Sequence, residues 1–127
     1  MNDKELYRIA QKAYENAYAP YSEFKVGAAL LAADGTIFTG VNVENSTYGA
    51  TICAERTAFV KAVSEGVRDF SKIAVASSGG AAWPCGICRQ FMYEFNTDLL
   101  VITGDDEGHL ESYKLNELLF KGFRLER

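Results

Sequence analysis

The chain has 127 residues, 48% of them hydrophobic, with 13 basic and 17 acidic side chains and a formal net charge of −4. This length predicts a single domain over residues 1–127, with enough apolar residues for a core that needs no disulfide bonds. The acidic balance and the absence of basic runs argue against a nucleic-acid partner, because proteins that bind phosphate backbones usually present a basic stripe.

The first ten residues, Met1–Ala10, lack the cationic and apolar pattern of a secretion leader, and no apolar run is long enough to span a bilayer. We therefore expect a soluble cytoplasmic protein with no membrane partner. Two of the three cysteines form the motif Cys85-Gly86-Ile87-Cys88. In a cytoplasmic protein, such cysteines favour metal binding or redox chemistry over a disulfide framework.

Hydrophobic periodicity predicts alternating helices and strands. Pro20 ends the first helix, Asp34-Gly35 is typical of a tight hairpin turn, and Gly66 ends the second helix. A hairpin followed by alternating helices and strands predicts the α/β class, with a mixed sheet covered by helices and a strand order that the pattern leaves open. The predicted elements are a helix at 3–18, strands at Val26–Ala33 and Thr36–Val43, a helix at 54–65, a strand at Ile73–Ser77, a helix at Gly86–Phe95, strands at Leu99–Thr103 and His109–Tyr113, and a helical turn at Leu115–Phe120.

Three cysteines at two predicted helix starts form a candidate metal site. Cys53 precedes the second helix, and Cys85 and Cys88 open the third, where free backbone N–H groups favour thiolate over thiol. Three thiolates can bind one zinc tetrahedrally and leave the fourth position to water, which is typical of catalytic zinc sites. Glu55 beside that position is expected to take a proton from zinc-bound water, whose pKa falls to about 7.

Each motif also has a less specific interpretation. Cys85-Gly86-Ile87-Cys88 fits a redox dithiol or half of a structural zinc site, and His109 in its polar turn is expected at the surface rather than as a fourth ligand. The two motifs together, with Pro84 before the second, match the signature of zinc nucleobase deaminases. Arg56 is expected to offset the net negative charge of three thiolates on Zn²⁺ by hydrogen bonding to a ligand sulfur, unless it forms an exposed surface pair.

Beyond the metal motifs, the chain resembles the small homotetrameric cytidine deaminases of the zinc-dependent cytidine and deoxycytidylate deaminase superfamily. The resemblance implies a three-layer α/β/α sandwich with a five-stranded mixed sheet and one zinc per subunit. It also implies hydrolytic conversion of cytidine and 2′-deoxycytidine to uridine and 2′-deoxyuridine in pyrimidine salvage, with Glu55 passing a proton to ring N3 and then to the leaving amino group. The motifs that carry it are Tyr18–Ser22, Phe24, Val26–Leu30, Asn42–Asn45, Cys53–Arg56, Pro84–Gln90, Leu118-Leu119 and Phe123.

The resemblance further implies a set of substrate-binding residues. Asn42 and Glu44 would hold the ribose 3′-hydroxyl, with Val43 between them; from the residues alone, the two polar groups fit equally well as solvated side chains on one strand face. Phe24 would pack against the base, and the backbone N–H of Ala54 would donate a hydrogen bond to the pyrimidine carbonyl. Residues implied to reach the pocket of a neighbouring subunit are Ser46, Tyr48 and Phe123.

Some features leave other interpretations open. The chain has Leu118-Leu119-Phe120 where this family usually has Leu-Leu-Pro, which leaves the placement of Phe123 open, and Trp83 before Pro84 is an unusual residue that we expect to line the pocket. The competing functions are a deaminase of the same fold acting on a nucleoside such as blasticidin S, a structural zinc or RNA-binding module, and a dithiol redox protein. The ribose-binding pattern Asn42–Asn45 favours an ordinary cytosine nucleoside.

Overall fold

A mixed β-sheet forms the centre of the computed structural model, which describes residues 1–126. Within these residues the strands are β1 (Val26–Ala32), β2 (Ile37–Val41), β3 (Phe70–Ser77), β4 (Leu100–Gly104) and β5 (Leu110–Lys114). The α-helices are α1 (Asp3–Ala13), α2 (Ala54–Ser64), α3 (Gly86–Tyr93) and α4 (Leu115–Leu118).

The strands follow the spatial order β2-β1-β3-β4-β5. β1 pairs antiparallel with both β2 and β3, β3 pairs parallel with β4, and β4 pairs antiparallel with β5. A parallel pair requires a crossover connection, which the chain containing α3 supplies. The predicted α/β class with a five-stranded mixed sheet is confirmed, and the structure adds the strand order.

Helices cover both faces of the sheet. Successive side chains of β1 point to opposite faces of the sheet, so the hydrophobic core consists of two clusters, one on each face. Ala29 lies in the cluster formed with Leu6 and Tyr7 of α1, whereas Ala28 and Leu30 lie in the cluster that contains α2 and α3 residues. These two buried clusters make the three-layer α/β/α sandwich that the family resemblance implied.

The first helix is shorter than its periodicity predicts. The helix expected over residues 3–18 ends at Ala13 and continues as a 3₁₀ turn at Tyr14–Asn16. The chain then extends, and the backbone N–H of Tyr18 donates to Asn42 O at 3.0 Å. Pairing with the segment after β2 therefore ends the helix before Pro20 is reached.

The remaining elements occur where predicted, with ends shifted by a few residues. Gly35 at the β1–β2 turn and Gly66 after α2 have φ values of 95° and 90°, a conformation that glycine adopts without steric cost. β3 begins at Phe70 rather than Ile73, because Phe70 pairs with Ala32 of β1. No helix within the described residues combines the length and apolar character that crossing a bilayer requires.

Candidate active site

The three cysteines converge where α2 and α3 begin. Cys53 is the N-cap of α2 and Cys85 is the N-cap of α3, and both have extended backbone conformations. The Sγ atoms of Cys53 and Cys85 lie 3.8 Å apart, and all three sulfurs, including that of Cys88, lie within 4.8 Å of one another. Tetrahedral zinc with Zn–S bonds of about 2.3 Å requires sulfurs about 3.8 Å apart, so this cluster fits one zinc ion.

The segment that precedes α3 is hydrogen-bonded to the sheet. Thr103 of β4 is fully buried, and its hydroxyl donates to Val75 O at 2.8 Å. The same Oγ1 accepts a hydrogen bond from the backbone N–H of Ala82 at 3.1 Å. The paired strands β3 and β4 therefore position the segment that precedes Cys85.

The sulfurs differ in their affinity for protons. Hydrogen bonding from Cys88, opposed by partial burial and assisted by Arg56, lowers the pKa of Cys53 to about 5. The shared hydrogen bond with Cys53, together with burial, raises the pKa of Cys88. The lowered pKa of Cys53 favours its thiolate, the form that binds metal.

Glu55 lies in the first turn of α2, beside the sulfur cluster. Its side chain is only 4% exposed. Burial, together with the negative charge of Cys53, raises the pKa of Glu55 to about 7. A carboxyl group with such a pKa can both accept and release a proton near neutral pH.

Arg56 follows Glu55 and points back to the cap of its own helix. Its Nη2 atom lies 3.8 Å from Cys53 Sγ and 3.4 Å from Thr51 O. Its Nε atom is buried, and no hydrogen-bond partner for it exists within residues 1–126. The guanidinium group therefore lies beside a candidate ligand sulfur, as the charge argument from the sequence predicts.

A pocket of about 280 Å³ opens above the sulfur cluster. Apolar side chains form most of its wall, and Trp83 is among them, as expected from the sequence. Cys53, Cys85 and Glu55 line the pocket, and so do Asn42 and Glu44. The full lining consists of Ser22, Phe24, Val26, Asn42, Glu44, Thr51, Ile52, Cys53, Ala54, Glu55, Val75, Ala82, Trp83 and Cys85.

Asn42 and Glu44 also hold the loop that carries Phe24. Asn42 Nδ2 donates to Phe24 O at 2.8 Å, and its Oδ1 accepts from the backbone N–H of Val26 at 2.9 Å. Glu44 accepts from the hydroxyl and the backbone N–H of Ser22 and from the backbone N–H of Tyr21, and the Ser22 hydroxyl is the main cause that lowers the pKa of Glu44. The two side chains therefore order one wall of the pocket.

Four of the predicted substrate-binding residues do not line this pocket. Val43 forms a backbone bridge with Ile52. The Oγ atom of Ser46 lies 2.7 Å from the Tyr21 hydroxyl. Tyr48 and Phe123 are 78% and 64% exposed.

Several lining residues were missed by sequence reasoning. Ser22 belongs to the motif Tyr18–Ser22, which gave a signal, but Val75 and Ala82 carry no pattern that distinguishes them from ordinary core or loop residues. Val75 reaches the pocket from β3, and Ala82 is held beside it by the hydrogen bond to Thr103 of β4, so both contacts depend on the tertiary structure. His109 pairs with Asp106 in the exposed β4–β5 turn, away from the sulfur cluster, as expected.

Comparison with known proteins adds independent information. The family described as "Cytidine and deoxycytidylate deaminase zinc-binding region" matches residues 1–103. The cytidine deaminase of Sporosarcina psychrophila is 50% identical over 128 residues, covering 99% of this chain and 94% of that protein. That of Halalkalibacterium halodurans is 47% identical over 128 residues, covering 99% and 97%. The crystal structure of cytidine deaminase from Burkholderia pseudomallei has a TM-score of 0.92 and 44% identity, covering 97% of this chain and 100% of that one.

Proposed function

The chain belongs to the cytidine and deoxycytidylate deaminase family, and from that premise we propose that it is a zinc-dependent enzyme that deaminates cytidine and 2′-deoxycytidine. The reaction consumes water and gives uridine or 2′-deoxyuridine plus ammonia. One observation carries the proposal: a cluster of three cysteine sulfurs with zinc-like spacing lies beside the buried carboxyl of Glu55, and Cys53, Cys85 and Glu55 line an apolar pocket.

We assign the zinc ion to Cys53, Cys85 and Cys88. Bound there, zinc would activate a water molecule as the nucleophile and stabilise charge that develops on it. The lowered pKa of Cys53 favours metal binding, because ligating cysteines must lose their protons. Arg56 beside Cys53 Sγ reduces the negative charge that three thiolates would otherwise concentrate in a partly buried site.

Glu55 is assigned as the proton carrier. Its carboxylate takes a proton from the attacking water and gives it to ring N3, which makes C4 more electrophilic. Once the water oxygen has bonded to C4, Glu55 takes the second proton of that oxygen and gives it to the exocyclic amino group, whose bond to C4 breaks as ammonia leaves. A pKa near 7 suits a group that must act as base and acid in one cycle.

The pocket suits a flat, uncharged base with a sugar attached. We assign Phe24 to pack against the base and the backbone N–H of Ala54 to donate to the pyrimidine carbonyl, because both residues line the pocket and Ala54 lies in the first turn of α2, where N–H groups have no intrahelical acceptor. Glu44 accepts three hydrogen bonds and Asn42 uses one N–H and one acceptor position. A carboxylate has about four acceptor positions and an amide has two N–H groups, so both retain capacity for the ribose 3′-hydroxyl.

We further propose a cytoplasmic homotetramer that functions in pyrimidine salvage and shares its sites between subunits. Support comes from Ser46, Tyr48 and Phe123, which the family resemblance assigns to a neighbouring pocket and which all lie outside the pocket of their own chain. Tyr48 and Phe123 expose most of their side chains. Val43, exposed next to Asn42, is assigned to the same substrate-binding segment.

The decisive experiment combines zinc content with the loss of ultraviolet absorbance on adding cytidine, 2′-deoxycytidine, cytosine, blasticidin S or single-stranded DNA. We expect turnover of the two nucleosides and one zinc per chain. Glu55→Gln should keep its zinc and lose turnover by at least about 10²–10⁴-fold, whereas Glu111→Gln on the exposed strand β5 should behave as the unaltered protein. An active Glu55→Gln variant would show that this carboxyl is not the proton carrier.

A further inference from the structure

We propose that Arg89 and Gln90 are positioning residues that connect the zinc-ligand loop to the C-terminal segment (residues 118–126), so that zinc retention depends on this segment. The inference rests on the proposed zinc site, but it concerns how the ligands are held and does not depend on which substrate is deaminated.

Arg89 links two backbone carbonyl groups from distant parts of the chain. Its Nε donates to Pro84 O at 2.6 Å, and its Nη1 donates to Leu118 O at 2.7 Å. Pro84 is buried and directly precedes Cys85. Leaving a buried carbonyl group without a hydrogen-bond partner costs free energy, and a charged donor makes a strong hydrogen bond. Arg89, which directly follows Cys88, therefore holds Pro84, which directly precedes Cys85.

Gln90 makes a second connection in the same turn of α3. Its Nε2 donates to Phe123 O at 2.7 Å, and its Oε1 accepts from the backbone N–H of Phe123 at 3.4 Å. The side-chain amide thus pairs with both backbone polar groups of one residue, in the way a neighbouring strand would. Arg89 and Gln90 therefore hold the C-terminal segment at two points five residues apart, Leu118 and Phe123.

After Leu119, the large apolar side chains of this segment contribute little to its position. Phe120, Phe123 and Leu125 are 84%, 64% and 79% exposed. A Cβ added at Gly122 would lie 3.2 Å from Tyr93 Cδ1, so the backbone itself runs close to α3. Leu118 packs partly buried against the core, but beyond it hydrogen bonds from α3, rather than burial of large side chains, place the segment.

Through its two contacts, the guanidinium group of Arg89 holds both the zinc-ligand loop and the C-terminal segment. If the C-terminal segment moves away, Arg89 loses one of its acceptors and becomes freer to leave Pro84 O. Cys85, whose side chain is exposed, is then held less firmly toward Cys53 and Cys88. Partners one step removed from a metal typically change metal affinity by about 10–100-fold when they are altered.

The test measures zinc release from the zinc-loaded full-length protein into a chelating dye, with no nucleoside present. Arg89→Lys keeps the charge but cannot reach two carbonyls in the planar geometry of a guanidinium group. Gln90→Ala removes both bonds to Phe123. The matched control is Arg8→Lys, because Arg8 also makes a two-point contact, with Glu107 on the exposed surface away from the zinc site.

We expect about 10–100-fold faster release for Arg89→Lys and a smaller acceleration for Gln90→Ala. The double variant should release zinc more slowly than the product of the single effects predicts, since both changes act through one segment. The cobalt-substituted variants should show altered thiolate-to-metal absorption. Metal-free unfolding midpoints should lie close to that of Arg8→Lys, because a lysine at position 89 can still donate to one of the two carbonyl groups.

Two outcomes would overturn the proposal. One is zinc release at the Arg8→Lys rate in both variants. The other is faster release accompanied by a metal-free unfolding midpoint well below that of Arg8→Lys, which would indicate general destabilisation. If Arg89→Lys does not fold, the release rate of Gln90→Ala decides between the same outcomes. If zinc retention depends on Arg89 and Gln90 but the protein leaves cytidine unchanged, the proposed reaction is contradicted and the positioning role of these two residues is not.

Discussion

At the scale of single residues, the charge of the metal site depends on Arg56. Three thiolates on one divalent zinc leave a net negative charge, which makes the adjacent water less acidic than at a site with neutral histidine ligands. The Nη2 atom of Arg56 lies 3.8 Å from Cys53 Sγ, close enough to offset part of that charge. Its position beside Glu55 also places a positive charge near the proposed proton carrier.

Arg56→Gln should therefore slow the enzyme without unfolding it. Glutamine keeps an N–H donor but removes the charge, so we expect kcat to fall by about 10–100-fold. The acidic limb of the kcat profile should move to higher pH, because the water holds its proton more tightly. The measurements are kcat against pH and zinc content. Arg68→Gln, an exposed site after α2, is the control, and kinetics equal to it would show that the charge of Arg56 does not act on the reaction.

Residue-level sequence reasoning was most successful where spacing and helix starts determine position. Cys53, Cys85, Cys88 and Glu55 lie together, as expected. It did not reveal that Glu44 already accepts hydrogen bonds from the loop at Ser22. Those donors lie 22 residues away along the chain, so their proximity depends on the folded path of the loop.

At the scale of elements, the close approach of α2 to β2 positions Cys53, the first of the proposed zinc ligands. A Cβ added at Gly40 of β2 would lie 2.4 Å from both Ala54 O and Ala58 N. Such distances are too short for any side chain, so glycine allows the start of α2 to pack directly on the strand. The sulfur of Cys53 is brought toward α3 by this packing.

Gly40→Ala should destabilise the protein and weaken zinc binding together. Because the obstructing atoms are backbone atoms, α2 must shift away from β2, at a cost of about 1–3 kcal/mol in the free energy of unfolding. Urea unfolding and zinc titration measure the two effects. Gly49→Ala is the matched control, since a Cβ there meets nothing within 4 Å. Equal unfolding midpoints for the two variants would show that the contact is not a tight constraint.

At the scale of the whole molecule, the exposed aromatic side chains bear on assembly. Tyr48 is 78% exposed, and its ring contacts Tyr21 edge-on at a centroid distance of 6.3 Å. Phe123 is held by its backbone and leaves its ring in solvent. Exposed aromatic rings on an ordered backbone are well suited to anchor a neighbouring subunit.

We expect light scattering to give a mass of about 56 kDa, four times the 14.0 kDa of one chain. Tyr48→Ala should shift the population to smaller species and lower kcat/KM at dilute protein concentration, because the proposed sites are completed by neighbours. Tyr48→Phe keeps the ring and should remain tetrameric. A mass of one chain for the unaltered protein would contradict the shared-site assembly.

The amino-acid sequence by itself determined the α/β class, the approximate elements, the three candidate zinc ligands and the acid two residues after Cys53. It could do so because helix starts, turns and alternation depend on neighbours along the chain. Only the tertiary structure decided the strand order, the early end of α1, the burial of Glu55 and the connection of Arg89 to Leu118. These features arise from contacts between residues far apart in the chain, such as Cys53 and Cys85, which are 32 residues apart. Such contacts exist only once β3 and β4 pair and α2 and α3 pack on the same face of the sheet.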